Sequence, residues 1–161
     1  MIDNTVMIKR ELLHVGIIDL PALRVAHKLC IFPTDPRNHD KQIRTAFQVL
    51  REWIVSFGLD PEVLLHVGIP TLDNKVLLMY DCCIEFPLPI DEDGDDIRLK
   101  SLPGGKYAVL RIEKKPGKIA RAIRQFHGDL VPENQIVVDE SRSVYEIYYK
   151  DTMEYCVPVI G

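Results

Sequence analysis

Two stretches of the chain carry the same alternation of apolar and polar positions. IIDLPALRVAHKL runs from Ile17 to Leu29, and RLKSLPGGKYAVL runs from Arg98 to Leu110. A period of two is that of a half-buried strand. Setting Leu20-Pro21 on Leu102-Pro103 places Arg24 on Lys106, Val25 on Tyr107 and Ala26 on Ala108. Each stretch reads as a strand, a tight turn after Leu-Pro and a returning strand. Gly104-Gly105 suits the positive φ angles of a two-residue hairpin turn.

The period then lengthens. Ile43, Ala46, Phe47, Leu50, Ile54 and Phe57 recur at spacings of three and four, which predicts an amphipathic helix that Gly58 stops. Ile119, Ala122, Ile123, Phe126 and Leu130 repeat the pattern, with Pro132 just beyond. Two apolar stretches follow each helix: LLHVGIP and VLLMYDCCIEF in the first half, SVYEIYYKD and MEYCVPVI in the second. They are rich in β-branched and aromatic residues and read as strands.

The plan is therefore strand–strand–helix–strand–strand, twice. It predicts an α+β fold, an antiparallel sheet with two main helices packed against it. The whole of residues 1–161 reads as one domain, with a first repeat at about 12–88, a linker at about 89–96 and a second repeat at about 97–161. The linker PLPIDEDGDDI mixes proline with acid and reads as a solvated charge run. Halves of this size sit near the lower limit for burying a core alone, so a shared interface and a ligand cleft between them are expected.

Composition narrows the function. Lys plus Arg is 20 and Asp plus Glu is 24, a net charge of −4. That balance offers no electrostatic footprint for direct nucleic-acid binding. No apolar run approaches the ~20 residues of a membrane span. Charged residues interrupt MIDNTVMIKRELLHVG, so it does not read as a signal peptide, and the expected location is the cytoplasm. The cysteines Cys30, Cys82, Cys83 and Cys156 form no CxxC pair, and the five histidines show no metal-ligand spacing. We expect no metal and no cofactor, and buried structural thiols. His27 ends an apolar strand and reads as a hydrogen-bonded structural residue.

One acid is out of place. Glu146 stands inside SVYEIYYKD. Alternation puts Val144, Glu146 and Tyr148 on one strand face, and Tyr145, Ile147 and Tyr149 on the other. An unpaired buried carboxylate is costly, so either Glu146 pairs with Lys or Arg, or it lies at an exposed edge, or it meets a ligand.

LPALRVAH, AFQVLREWIVSFGL, YDCCIEFP, LPGGKYAVLR, YEIYYKD and EYCVPV stand in an order that covers nearly the whole chain from Ile17. As an ordered set they resemble the GyrI-like small-molecule-binding domain. That family includes free-standing DNA gyrase inhibitor proteins and the effector-binding part of multidrug-responsive transcription activators. The resemblance implies two pseudo-symmetric strand–helix–strand–strand (SHS2-type) modules with an aromatic pocket between the halves. Many members bind a hydrophobic cation there, with a glutamate counter-ion in an F/Y-E-I-Y strand, here Tyr145-Glu146-Ile147-Tyr148. Trp53, Tyr80, Tyr107, Tyr148 and Tyr155 are the candidate walls, with core packing the competing role for Trp53. The chain departs from the family in its loops. CIFPTDPRNHD and EKKPGK stand where RGPY-like turns are usual, PTLDN replaces YDDP, and the stretch before residue 15 is too short for a helix-turn-helix domain.

The expected function is binding of a hydrophobic, cationic small molecule, for sequestration or effector sensing. The alternatives are a protein-interaction module that inhibits DNA gyrase, and a hydrolase of strained-ring electrophiles in which Glu146 activates water.

Overall fold

A computed structural model describes residues 14–32 and 38–161. The expectations for the N-terminal stretch, and for residues 33–37 within CIFPTDPRNHD, lie outside those residues. The strands are β1 (His14–Leu20), β2 (Leu23–Ile31), β3 (His66–Asp73), β4 (Val76–Glu85), β5 (Arg98–Leu102), β6 (Gly105–Glu113), β7 (Val137–Val138), β8 (Tyr145–Tyr148) and β9 (Thr152–Ile160). The two main helices are α1 (His39–Val55) and α2 (Lys118–Gln125). The fold is α+β, and β2–α1–β3–β4 repeats as β6–α2–β8–β9, as the duplicated pattern predicts. No helix among the described residues is long and apolar enough to cross a membrane.

The chain divides into two compact units. A continuous unit comprises Pro21–Gly104, and a split unit joins the described residues up to Leu20 to Gly105–Gly161. In the continuous unit the strand order is β3-β4-β2-β5, with antiparallel pairing. In the split unit it is β1-β6-β9-β8, with β7 on β9, also antiparallel.

The Leu-Pro segments are therefore not hairpin turns. β1 pairs with β6, Leu20 opposite Gly105, and β5 pairs with β2, Leu102 opposite Leu23. These two pairs are equivalent under the sequence repeat, so each leading strand adds to the sheet of the other repeat. Gly105 takes φ +137°, which side-chain-bearing residues rarely adopt, and a Cβ there would also come within 2.4 Å of Arg142 Nη1. A tight hairpin lies instead between β3 and β4, where Asn74 and Lys75 both take positive φ, 50° and 66°.

In the continuous unit α1 lies against β2 and β4 and buries Ala46, Phe47, Leu50 and Ile54, the expected stripe. Gly58, at φ +80°, follows its end. In the split unit α2 lies against β6, and Ala108, Leu110, Ile112, Ala122, Phe126, Met153, Tyr155, Val157 and Val159 form the core. The helical path does not stop before Pro132. It continues through a π-helical turn, Phe126–Leu130, and a last turn, Val131–Glu133. Pro132 stands just after the π turn, and the helical path ends one residue later at Glu133.

The acidic linker is pinned rather than free. The Arg24 guanidinium donates to the carbonyls of Leu88 and Ile90 and meets Asp91 at 2.8 Å. Gly94 lies under Trp53, where a Cβ would come within 2.5 Å of Nε1.

His27 is structural, as its strand position suggests. Its Nδ1 lies 2.9 Å from Asp81 Oδ1, and Lys100 Nζ donates to Asp81 Oδ2 at 2.5 Å. Burial pushes the Asp81 carboxyl up, but the hydrogen bonds from His27 and Lys100 outweigh it and hold the carboxyl below its usual 3.8. A depressed native pKa means the unfolded chain binds the proton first. Asp81 thus contributes stability above about pH 4, and loses it as pH falls through the native value. Lys100→Met should raise the pH midpoint of acid unfolding. An unchanged midpoint in circular dichroism titrations would remove Asp81 from the acid response.

Candidate functional site

Strand alternation and register build one polar patch on the α2-facing side of the split unit. β8 runs beside β9 with Glu146 opposite Tyr155 and Tyr148 opposite Met153. Tyr155 and Met153 belong to the core beneath α2, and Val144 and Tyr148 pack against it. Glu146 therefore shares a face with Tyr148, as the period of two in SVYEIYYKD predicts, and register adds Tyr155. The strand itself is only four residues long.

Glu146 is half-buried, and its Oε1 accepts a hydrogen bond from the Tyr148 hydroxyl at 3.1 Å. Burial, then the nearby Glu146 charge, pushes the Tyr155 phenol up to about 12. The Tyr155 hydroxyl shares a 2.9 Å hydrogen bond with His127 Nε2. Partial burial pulls the His127 imidazole below its ordinary 6.5. The Lys114 ammonium sits 5.6 Å from the centroid of the Tyr148 ring. A half-buried carboxylate, the Tyr148 phenol and an imidazole thus gather on one face over the buried Tyr155, an arrangement that can accept a positive charge and lie against apolar groups.

Tyr107 lies on the other face of the split unit's sheet, and Trp53 and Tyr80 belong to the continuous unit. Tyr107 is fully buried on the opposite face of its strand from core residues Ala108 and Leu110. It stacks on Tyr145 at 5.2 Å, with Arg142 Cζ 5.0 Å from its ring. Trp53 belongs to the continuous unit and contacts Phe57 at 4.7 Å and Phe86 at 5.4 Å, a packing role with the linker across it. Tyr80 is buried in the same unit, its phenol laid across Gly68 of β3, where a Cβ would come within 1.8 Å of the hydroxyl. Gly68 stands in the HVGIP strand because the tyrosine occupies the space of a side chain.

His127 carries no spacing motif in the sequence. The π turn places it beside Tyr155, and a π turn leaves no mark in apolar periodicity. Such turns recur at functional sites. Among the described residues, no group of three or more His, Cys, Asp or Glu side chains is placed to hold a metal ion.

A family model described as the GyrI-like small molecule binding domain matches residues 14–160. No curated protein matches the sequence. Among solved structures, EcmrR in complex with DNA aligns with TM-score 0.70 at 16% identity, over 98% of this chain and 62% of that one. This chain thus spans less than two thirds of the length of EcmrR. The EcmrR C-terminal domain alone aligns with TM-score 0.66 at 12% identity, over 92% of this chain and 98% of that one. A hydrolase from Listeria innocua aligns with TM-score 0.65 at 14% identity, over 91% of each chain. SAV2435 bound to tetraphenylphosphonium aligns with TM-score 0.53 at 18% identity, over 92% of this chain and 94% of that one. At these identities the likeness is one of fold.

Proposed function

The chain belongs to the GyrI-like small-molecule-binding domain family, and on that premise we propose that it binds a hydrophobic organic cation with Glu146 as counter-ion. The carrying observation is the half-buried Glu146 carboxylate set between Tyr148 and Tyr155 on one sheet face. Each ring face adds about 0.5–2 kcal/mol to a cation held against it. A neutral ligand gains nothing from the carboxylate and leaves it desolvated. The tetraphenylphosphonium held by SAV2435 is a ligand of this chemical class.

Titration with tetraphenylphosphonium and with neutral triphenylphosphine oxide tests the reading. Micromolar binding of the cation is expected, weakened about tenfold or more by Glu146→Gln, equivalent to ~1.4 kcal/mol. Binding of the neutral probe should not change. Equal cation affinity in the two proteins would sink the counter-ion role.

The hydrogen-bonded Tyr155–His127 pair beside Glu146 favours one second reading, in which the carboxylate activates water against a strained-ring electrophile. Mass-spectrometric detection of a hydrolysed product, abolished by Glu146→Gln, separates turnover from binding.

A further inference from the structure

EKKPGK, the loop that departs from the family's usual turn, joins β6 to α2. Its Lys114 is tied through both backbone and side chain to the turn between β8 and β9. The Lys114 backbone N–H donates to the Asp151 carbonyl at 3.0 Å, and the ammonium donates to the Tyr149 carbonyl. The ammonium sits 5.6 Å from the centroid of the Tyr148 ring, whose hydroxyl donates to Glu146 Oε1 at 3.1 Å. One tyrosine thus has a carboxylate at its hydroxyl and a held cation against its ring.

Lys114 differs from the basic residues around it. Lys115 and Lys118 both pair with Glu113, at 2.9 and 3.1 Å, and Arg111 pairs with Glu154 at 3.5 Å. Among the described residues, no carboxylate lies within ion-pair distance of the Lys114 ammonium. An ammonium without a direct counter-ion weakens any cation that comes close to it. How much it does so depends on where along Tyr148 a ligand carries its charge.

Building on the reading of Glu146 as counter-ion, we propose that Lys114 sorts ligands by their second charge, so that the site takes singly charged or zwitterionic hydrophobic cations and discriminates against dications. A ligand whose cationic centre meets Glu146, with an arm lying along the Tyr148 ring, brings the end of that arm to Lys114. A neutral arm end loses little there. An anionic end gains an ion pair. A second cationic end meets like charge and gives up water without gaining a partner.

The discrimination is bounded. Lys114 is exposed, so water and salt screen its charge. Across a few ångström of a near-aqueous medium, one unit charge shifts affinity about threefold, by attraction or by repulsion. Exchanging a cationic arm end for an anionic one counts both effects, about tenfold together. Added salt should shrink that figure.

Three triphenylphosphonium ions that share a four-carbon arm are the probes. The 4-carboxybutyl, pentyl and 4-aminobutyl compounds end at pH 7 in a carboxylate, a methyl and an ammonium group. Titration calorimetry on the full chain measures each affinity. The two charged ends both give up water, so the ratio of their affinities reads the sign of the local charge. The carboxylate-to-ammonium ratio should be about tenfold higher in the wild-type protein than in Lys114→Met, and Lys114→Glu should lower it further. Both substitutions fall on an exposed side chain, and circular dichroism checks the fold. The pentyl probe keeps the two roles apart. If Glu146→Gln weakens it but Lys114→Met changes the ratio by less than about threefold, the role of Lys114 alone is overturned. If Glu146→Gln leaves the pentyl probe unaffected, the counter-ion role fails and the sorting role falls with it.

Discussion

Phe126→Ala is expected to lower the melting temperature by about 6–20 °C. Phe126 is fully buried at the junction of α2 and the π turn, edge-on to Tyr155 at 6.3 Å and to His127 at 5.1 Å. Truncating such a ring costs about 3–5 kcal/mol, from lost transfer energy and from the cavity left behind. For a chain of this size each kcal/mol is worth about 2–4 °C. The wall of that cavity includes Tyr155, so its hydrogen bond to His127 should loosen as well. Thermal unfolding followed by near-ultraviolet circular dichroism measures the loss. A shift under about 3 °C would mean that the π turn, not the ring, organises this core.

The second large effect belongs to Gly68→Ala. An added Cβ would meet the Tyr80 hydroxyl at 1.8 Å, Cζ at 2.3 Å and Cε1 at 2.5 Å. These atoms form a rigid ring in a buried position and cannot yield as the end of a lysine could. We expect a loss of about 1–3 kcal/mol, or roughly 2–12 °C. The cause is pairwise, so Tyr80→Ala in the same chain should relieve the clash. The double mutant should be clearly more stable than the sum of the single effects. Strict additivity in urea unfolding would show that the glycine matters for its backbone instead.

Much of this architecture was legible in the chain, for reasons that also mark where legibility ended. The three-and-four spacing of Ile43 to Ile54 fixed a helix and its buried face, because a helix settles its own hydrogen bonds. Alternation put Glu146 and Tyr148 on one face, because a strand side-chain period is local. Pairing is not local. Nothing in IIDLPALRVAHKL states that its first strand bonds to residues far downstream, so proximity in sequence suggested a hairpin that does not form. Tyr155 joined Glu146 only through register. Tyr107 fell on the opposite face because the parity of β6 against β8 depends on β9 between them. The π turn was invisible for a related reason. Phe126 and Leu130 keep a helix-compatible spacing while the ring path between them widens, and His127 is turned toward Tyr155 by that widening.

The exchange of leading strands also sets an order of events at the ribosome. The pairs of β2 with β4, β2 with β5 and β3 with β4 can all form once Gly104 is made. Of the described strands β1 is synthesised first, yet its backbone partner begins only at Gly105. At about 5–20 residues per second, β1 waits on the order of ten seconds. Ile17 and Ile18, exposed even in the finished fold, spend that interval on a strand with open N–H and C=O groups. The nascent chain is therefore most open to wrong pairing before β6 emerges, and a chaperone would find its target in β1 rather than in the strands made last.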